Sequence, residues 1–130
     1  MTYPVKNISV SINRSADDVY AFTSQPENIP QWIKFIETVS KKGDLWIAHT
    51  TVGIVKIKWP QRNDFGVLDH EVTFPNGEVF DNRMRIIPNN DGCEFVFTLF
   101  QMPGKTQAEF DEDAGLVTAD LRHLKFLMEK

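Results

Sequence analysis

Thr106-Gln107-Ala108-Glu109-Phe110-Asp111-Glu112-Asp113-Ala114-Gly115-Leu116-Val117-Thr118-Ala119-Asp120-Leu121-Arg122-His123-Leu124-Lys125-Phe126-Leu127-Met128 carries the strongest periodic signal in the chain. Phe110, Ala114, Val117, Leu121, Leu124 and Met128 recur at alternating steps of four and three, which lays one continuous apolar stripe along a helix of about five turns. Thr106 and Glu109 form a capping box directly after Pro103-Gly104, so the helix start is marked twice. Acidic residues from Glu109 to Asp113 crowd the first turns and Arg122 and Lys125 lie near the end, as the helix dipole favours. A helix with one apolar stripe must bury it against another layer.

The preceding residues supply that layer. Between Ile33 and Leu99 the apolar period is mostly two, and strands are predicted near 35–41, 44–51, 53–59, 65–74, 78–87 and 93–101. Lys42-Gly43-Asp44, Pro75-Asn76-Gly77 and Asn89-Asn90-Asp91-Gly92 are turn sequences, and such short connections imply hairpins and antiparallel pairing. An earlier strand is marked by Ile8, Val10 and Ile12 alternating with polar residues. Ser15 then offers an N-cap to a short helix with Ala16, Val19 and Phe22 on its apolar face, which Gln25-Pro26 ends. Pro26 can open a second short helix that finishes near Trp32. The sum is an α+β fold in one domain, residues 1–130: a curved antiparallel sheet around a long C-terminal helix, with two short helices after the first strand.

Register determines what lies inside. A three-residue Pro75-Asn76-Gly77 loop sets Phe74 opposite Glu78, Val72 opposite Phe80, His70 opposite Asn82 and Leu68 opposite Met84. The other face pairs Asp69 with Arg83 and Val67 with Arg85. A two-residue Asn-Gly loop would oppose Leu68 to Arg85 and Val72 to Asp81, so the longer loop is expected. By the same alternation Cys93, Phe95, Phe97 and Leu99 share the inner face.

Composition excludes several functions. The formal charge is −4 and no Lys/Arg cluster occurs, so neither nucleic acid nor an anionic membrane surface is an expected partner. No apolar run approaches the ~18 residues of a membrane span, and the first residues lack a signal-peptide core. The expected location is therefore cytoplasmic. A single cysteine, Cys93, allows no internal disulfide, and no residues are spaced as a zinc motif, a Walker loop or a dinucleotide fingerprint. No metal and no cofactor is expected. The sequence leaves the oligomeric state open, a homodimer included.

The order of elements resembles the helix-grip superfamily: START-like domains, the birch-pollen allergen fold and the polyketide cyclase/dehydrase (SRPBCC) proteins. The resemblance rests on Ile8–Ile12 followed by Ser15-Ala16-Asp17-Asp18-Val19-Tyr20-Ala21-Phe22, on Pro26-Glu27-Asn28-Ile29-Pro30-Gln31-Trp32, and on Asp120-Leu121-x-x-Leu124-Lys125 in the last helix. Trp46-Ile47-Ala48-His49-Thr50 and Asn63-Asp64-Phe65-Gly66-Val67-Leu68-Asp69-His70 look like a bacterial subgroup of it. The resemblance covers nearly the whole chain. It implies a cavity between sheet and helix, in a superfamily that binds lipids, sterols, polyketides and hormones and includes cyclases and dehydratases.

The inner face holds two polar residues among apolar ones, His70 and Asn82. They can satisfy each other or meet a polar atom of a ligand, and His70 is the candidate acid or base should there be chemistry. Trp32, Trp46 and Trp59 can line a pocket or fill the core, Trp59 being in phase with Val55 and Ile57. The side occupied by His49 is not fixed, because both faces of its strand are apolar, and His123 falls off the helical stripe. Gly115 beside the stripe either makes room for a ligand or is tolerated on a wet face. The leading expectation is a small, largely apolar ligand held by Trp59, Leu68, His70, Phe74, Asn82, Met84 and Phe97. The alternatives are a cyclase- or dehydratase-type enzyme using His70, and a protein-interaction module without a cavity.

Overall fold

In the computed structural model, which describes residues 1–130, the alternation of Ile8, Val10 and Ile12 becomes strand β1 (Val5–Ile12). Helix α1 (Ala16–Thr23) follows at once, with the Ser15 hydroxyl accepting the Asp18 N–H at 3.1 Å. Pro26 opens a 3₁₀ turn, Pro26–Gln31, that delivers Trp32 to the interior, where 2% of its surface is exposed. Six strands come next: β2 (Ile36–Lys42), β3 (Leu45–Thr50), β4 (Gly53–Lys58), β5 (His70–Thr73), β6 (Val79–Asn89) and β7 (Gly92–Phe100). Helix α2 (Gln107–Met128) ends the chain. Both bonds of its capping box form, at 3.1 Å to the Thr106 hydroxyl and 3.0 Å to the Glu109 carboxylate. No helix is long and apolar enough to cross a membrane.

The strands form one sheet in the order β1-β7-β6-β5-β4-β3-β2, every neighbouring pair antiparallel. The chain meanders from β2 to β7, and β1 docks on the far side of β7. Helix α2 lies chiefly against β1, with Leu121 and Leu124 meeting Ile12, Met84 and Phe95 in the larger of two apolar clusters. The smaller cluster unites Ile29, Ile36, Ala48, Val55, Ile57 and Val72 under the other half of the sheet. The curved layer thus has two cores, and α2 fills only one side of its concave face.

Between β5 and β6 the loop is the three-residue one. The Phe74 N–H donates to the Glu78 carbonyl at 2.9 Å, the Gly77 N–H to Phe74 at 2.9 Å, and Gly77 takes the positive φ of +88° that this turn requires. His70 lies opposite Asn82 and Val72 opposite Phe80.

The strand expected over 65–74 is regular only over His70–Thr73. Upstream, local bonds displace the ladder. The Asn63 side chain accepts the Phe65 and Val67 N–H groups and donates to the Val67 carbonyl, closing residues 63–67 on themselves. The Asp69 carboxylate takes the Met84 N–H at 3.0 Å in place of a ladder carbonyl. One bridge, Val67 to Arg85, keeps the same register across the break. Gly66 has φ +69°, and a Cβ there would stand 2.3 Å from the Ile86 carbonyl oxygen, so this crossing admits only glycine.

Candidate functional site

A cavity of about 230 Å³ lies between the concave sheet and α2. It occupies the seam between the two cores. Trp32, Met84 and Leu121 reach it from the larger cluster, and Ile29, Ile36, Val55, Ile57 and Val72 from the smaller. Phe35, Phe74, Phe80, Phe97 and Phe100 make much of the remaining wall aromatic.

Of the seven side chains the sequence points to, His70, Phe74, Asn82, Met84 and Phe97 line this cavity, and Trp59 and Leu68 do not. Leu68 is wholly buried in the larger core. Strand β4 ends at Lys58, so Trp59 leaves the phase of Val55 and Ile57. Its indole N–H donates to the Ser24 carbonyl at 2.9 Å, and its ring packs on His70 with centroids 4.8 Å apart. Trp59 thus backs the His70 ring and stands behind the cavity wall.

His70 is 8% exposed and both of its ring nitrogens are engaged. Nδ1 lies 3.0 Å from the Leu68 carbonyl oxygen, which can only accept, so Nδ1 carries the proton. Nε2 is then the acceptor and takes an N–H of Asn82 at 3.3 Å. Burial pushes the imidazole pKa down, against the opposing pull of the Leu68 carbonyl and of Asp69, and keeps the ring neutral. Asp69 itself is turned to the outer face, where Arg83 and Arg85 hold it. With Nδ2 committed to His70, the Asn82 Oδ1 makes no hydrogen bond within the chain and is the acceptor this pair leaves for the cavity.

Three further polar side chains line the space: Lys105, Asp113 and Asp120. Lys105 pairs with Asp113 and lies over the Phe80 ring, 5.7 Å from its centroid. Asp120 accepts the Lys34 backbone N–H at 3.3 Å; burial raises its carboxyl pKa, and the Lys34 N–H, His123 and Lys34 pull it back only in part. Trp32 Nε1 is the one buried side-chain polar atom in the chain without a partner. The sequence signal for the helical members was a second, weaker periodicity. Asp113, Leu116 and Asp120 recur at steps of three and four on one flank of the main stripe.

The remaining chemistry-bearing residues stand apart from the cavity. His49 and His123 are exposed, and no three His, Cys, Asp or Glu side chains converge. The buried Cys93 thiol has its pKa raised by burial and by Glu94, which makes it a poor nucleophile. Gly115 faces open space on the wet side of α2.

A search of curated proteins finds no match. Among solved structures, a START superfamily protein from Mycobacterium smegmatis superposes with a TM-score of 0.72 at 12% identity, over 96% of this chain and 97% of that one. The Aha1 dimer from Colwellia psychrerythraea gives 0.78 at 12%, over 97% and 96%. The ZhuI aromatase/cyclase from Streptomyces gives 0.73 at 14%, over 97% and 93%. Likeness at such identities establishes the helix-grip fold and nothing finer. The family model described as "Polyketide cyclase / dehydrase and lipid transport" matches residues 7–129, and the chain belongs to that family.

Proposed function

We propose that this protein binds a small, mainly apolar molecule in the cavity between the sheet and α2, with one polar atom of that molecule donating to Asn82. The observation that carries the reading is the cavity itself: an aromatic and aliphatic space in which the paired His70 and Asn82 leave a single free acceptor. At about 230 Å³ it falls just below the ~300–1,000 Å³ of pockets for drug-sized ligands, which fits a compact occupant of one or two rings.

Binding is favoured over catalysis by the state of His70. A general base needs a free lone pair and a general acid a labile proton near neutral pH. Here the Nε2 lone pair faces Asn82, the Nδ1 proton faces a backbone carbonyl, and burial opposes protonation. A cyclase, as the Streptomyces relative is named, would have to break one of these bonds before its ring could act.

Native mass spectrometry of freshly purified protein should show a co-purifying small molecule that is released on denaturation. Compact aromatic compounds should also raise the melting temperature, with the logarithm of their concentration once it exceeds Kd. Protein that carries no adduct, and whose melting is unmoved by such compounds up to their solubility limit, would sink the proposal.

A further inference from the structure

The cavity wall is not electrically neutral. Lys105 and Asp113 cancel as an ion pair, and His70 is uncharged. That leaves Asp120, which lines the cavity, is partly buried, and belongs to none of the chain's ion pairs. Its one hydrogen bond is a long one from the Lys34 backbone. The Lys34 and His123 side chains are themselves exposed and attract it only at a distance. A partly desolvated carboxylate without a counter-ion is unfavourable, and whatever places a cation beside it recovers the lost solvation.

The aromatic faces of the wall point the same way. Trp32, Phe35, Phe74, Phe80, Phe97 and Phe100 border the space, and aromatic faces attract cations. Lys105 already rests over Phe80 in this manner at the cavity wall. An anionic ligand would have to take Lys105 from Asp113 and would still face Asp120.

We infer that the ligand is an organic cation: a compact apolar body carrying an ammonium group that pairs with Asp120. The inference rests on the binding function proposed above and adds the charge of the ligand. Asp120 then determines specificity, because an isosteric alcohol or carboxylate fills the same apolar space without satisfying it.

The test is calorimetric titration with three matched probes, 2-naphthylmethylamine, 2-naphthylmethanol and 2-naphthoate. The amine should bind at least about tenfold more tightly than the alcohol, and the carboxylate most weakly. Asp120→Asn keeps an acceptor for the Lys34 N–H and removes the charge. It should abolish the preference for the amine over the alcohol, while Glu112→Gln, an exposed neighbour on α2, should preserve that preference. Asp120→Ser serves as a second variant, and melting curves establish that both fold. If alcohol and amine bind equally, or the preference survives in both Asp120 variants, the charge inference fails while the binding reading stands. If none of the three probes binds, the charge inference fails, and the binding reading fails with it when freshly purified protein also carries no adduct.

Discussion

His70 shows how one side chain records its surroundings. The ring is buried, donates from Nδ1 and accepts at Nε2, and its pKa lies below the ordinary 6.5. An unfolded chain therefore takes up a proton at 70 as the pH falls through 6.5, while the folded chain does not. The unfolded state binds more protons there, so this residue makes stability fall as pH drops below that value. Asp120 acts in the opposite sense, because its folded carboxyl pKa is raised above 3.8 and acid relieves it. The contribution of His70 is isolated by comparison with His70→Phe. The wild type should lose stability between neutral pH and about pH 5, and the variant should lose measurably less, by urea denaturation at each pH. Equal pH slopes would mean that the imidazole titrates freely. The same variant should fold yet bind the ligand more weakly, because Asn82 loses the partner that orients it. The pairing of His70 with Asn82 was legible because Leu68, Val72, Phe80 and Met84 all had to face inward, and only one register allows that. Asp120 was not legible as a site residue, since a lone acid on a helix flank reads as solvated until the far wall is known.

At the scale of elements, α2 announced itself because cap, stripe and charge gradient agree. Leu121 lies mid-stripe and is 2% exposed, so Leu121→Ala should cost roughly 2–5 kcal/mol. A change in melting of less than a degree or two would contradict its place in the core. The strand before His70 was harder to read. Val67 and Asp69 fall on the outer face and Leu68 and His70 on the inner one, so the alternation runs on unbroken although the ladder does not. What interrupts it are side-chain bonds from Asn63 and Asp69, and alternation carries no information about those. Gly66 marks the spot. Gly66→Ala places a Cβ against the Ile86 carbonyl and forces a positive φ on alanine. The variant should lose at least about 1 kcal/mol, the ordinary scale of left-handed strain, and more if the crossing cannot open. Unchanged stability by denaturant titration would show that the strands part easily at this point.

At the scale of the molecule, the cavity follows from how unequal layers meet. One helix of 22 residues cannot cover a curved seven-stranded sheet, and α2 lies along the β1 side. The 3₁₀ turn and Ile36 seal the opposite half with a core of their own. The space left between is bounded on the helix side by Val117, which is partly buried and lines the void. Val19, by contrast, is fully buried in the larger core and does not line this cavity. The two valines give a matched experiment. Val19→Phe adds volume where there is none and should destabilise by roughly 1–3 kcal/mol. Val117→Phe adds the same volume where space exists, so its melting temperature should hold or rise, as cavity-filling changes commonly do. Ligand affinity in that variant should fall by more than about tenfold, since a phenyl ring now occupies part of a space of about 230 Å³. If Val117→Phe destabilised the chain as much as Val19→Phe, the seam would be closed to a ring-sized group. A Val117→Phe protein that melted like the wild type and still bound its ligand at full strength would move the site elsewhere on the molecule.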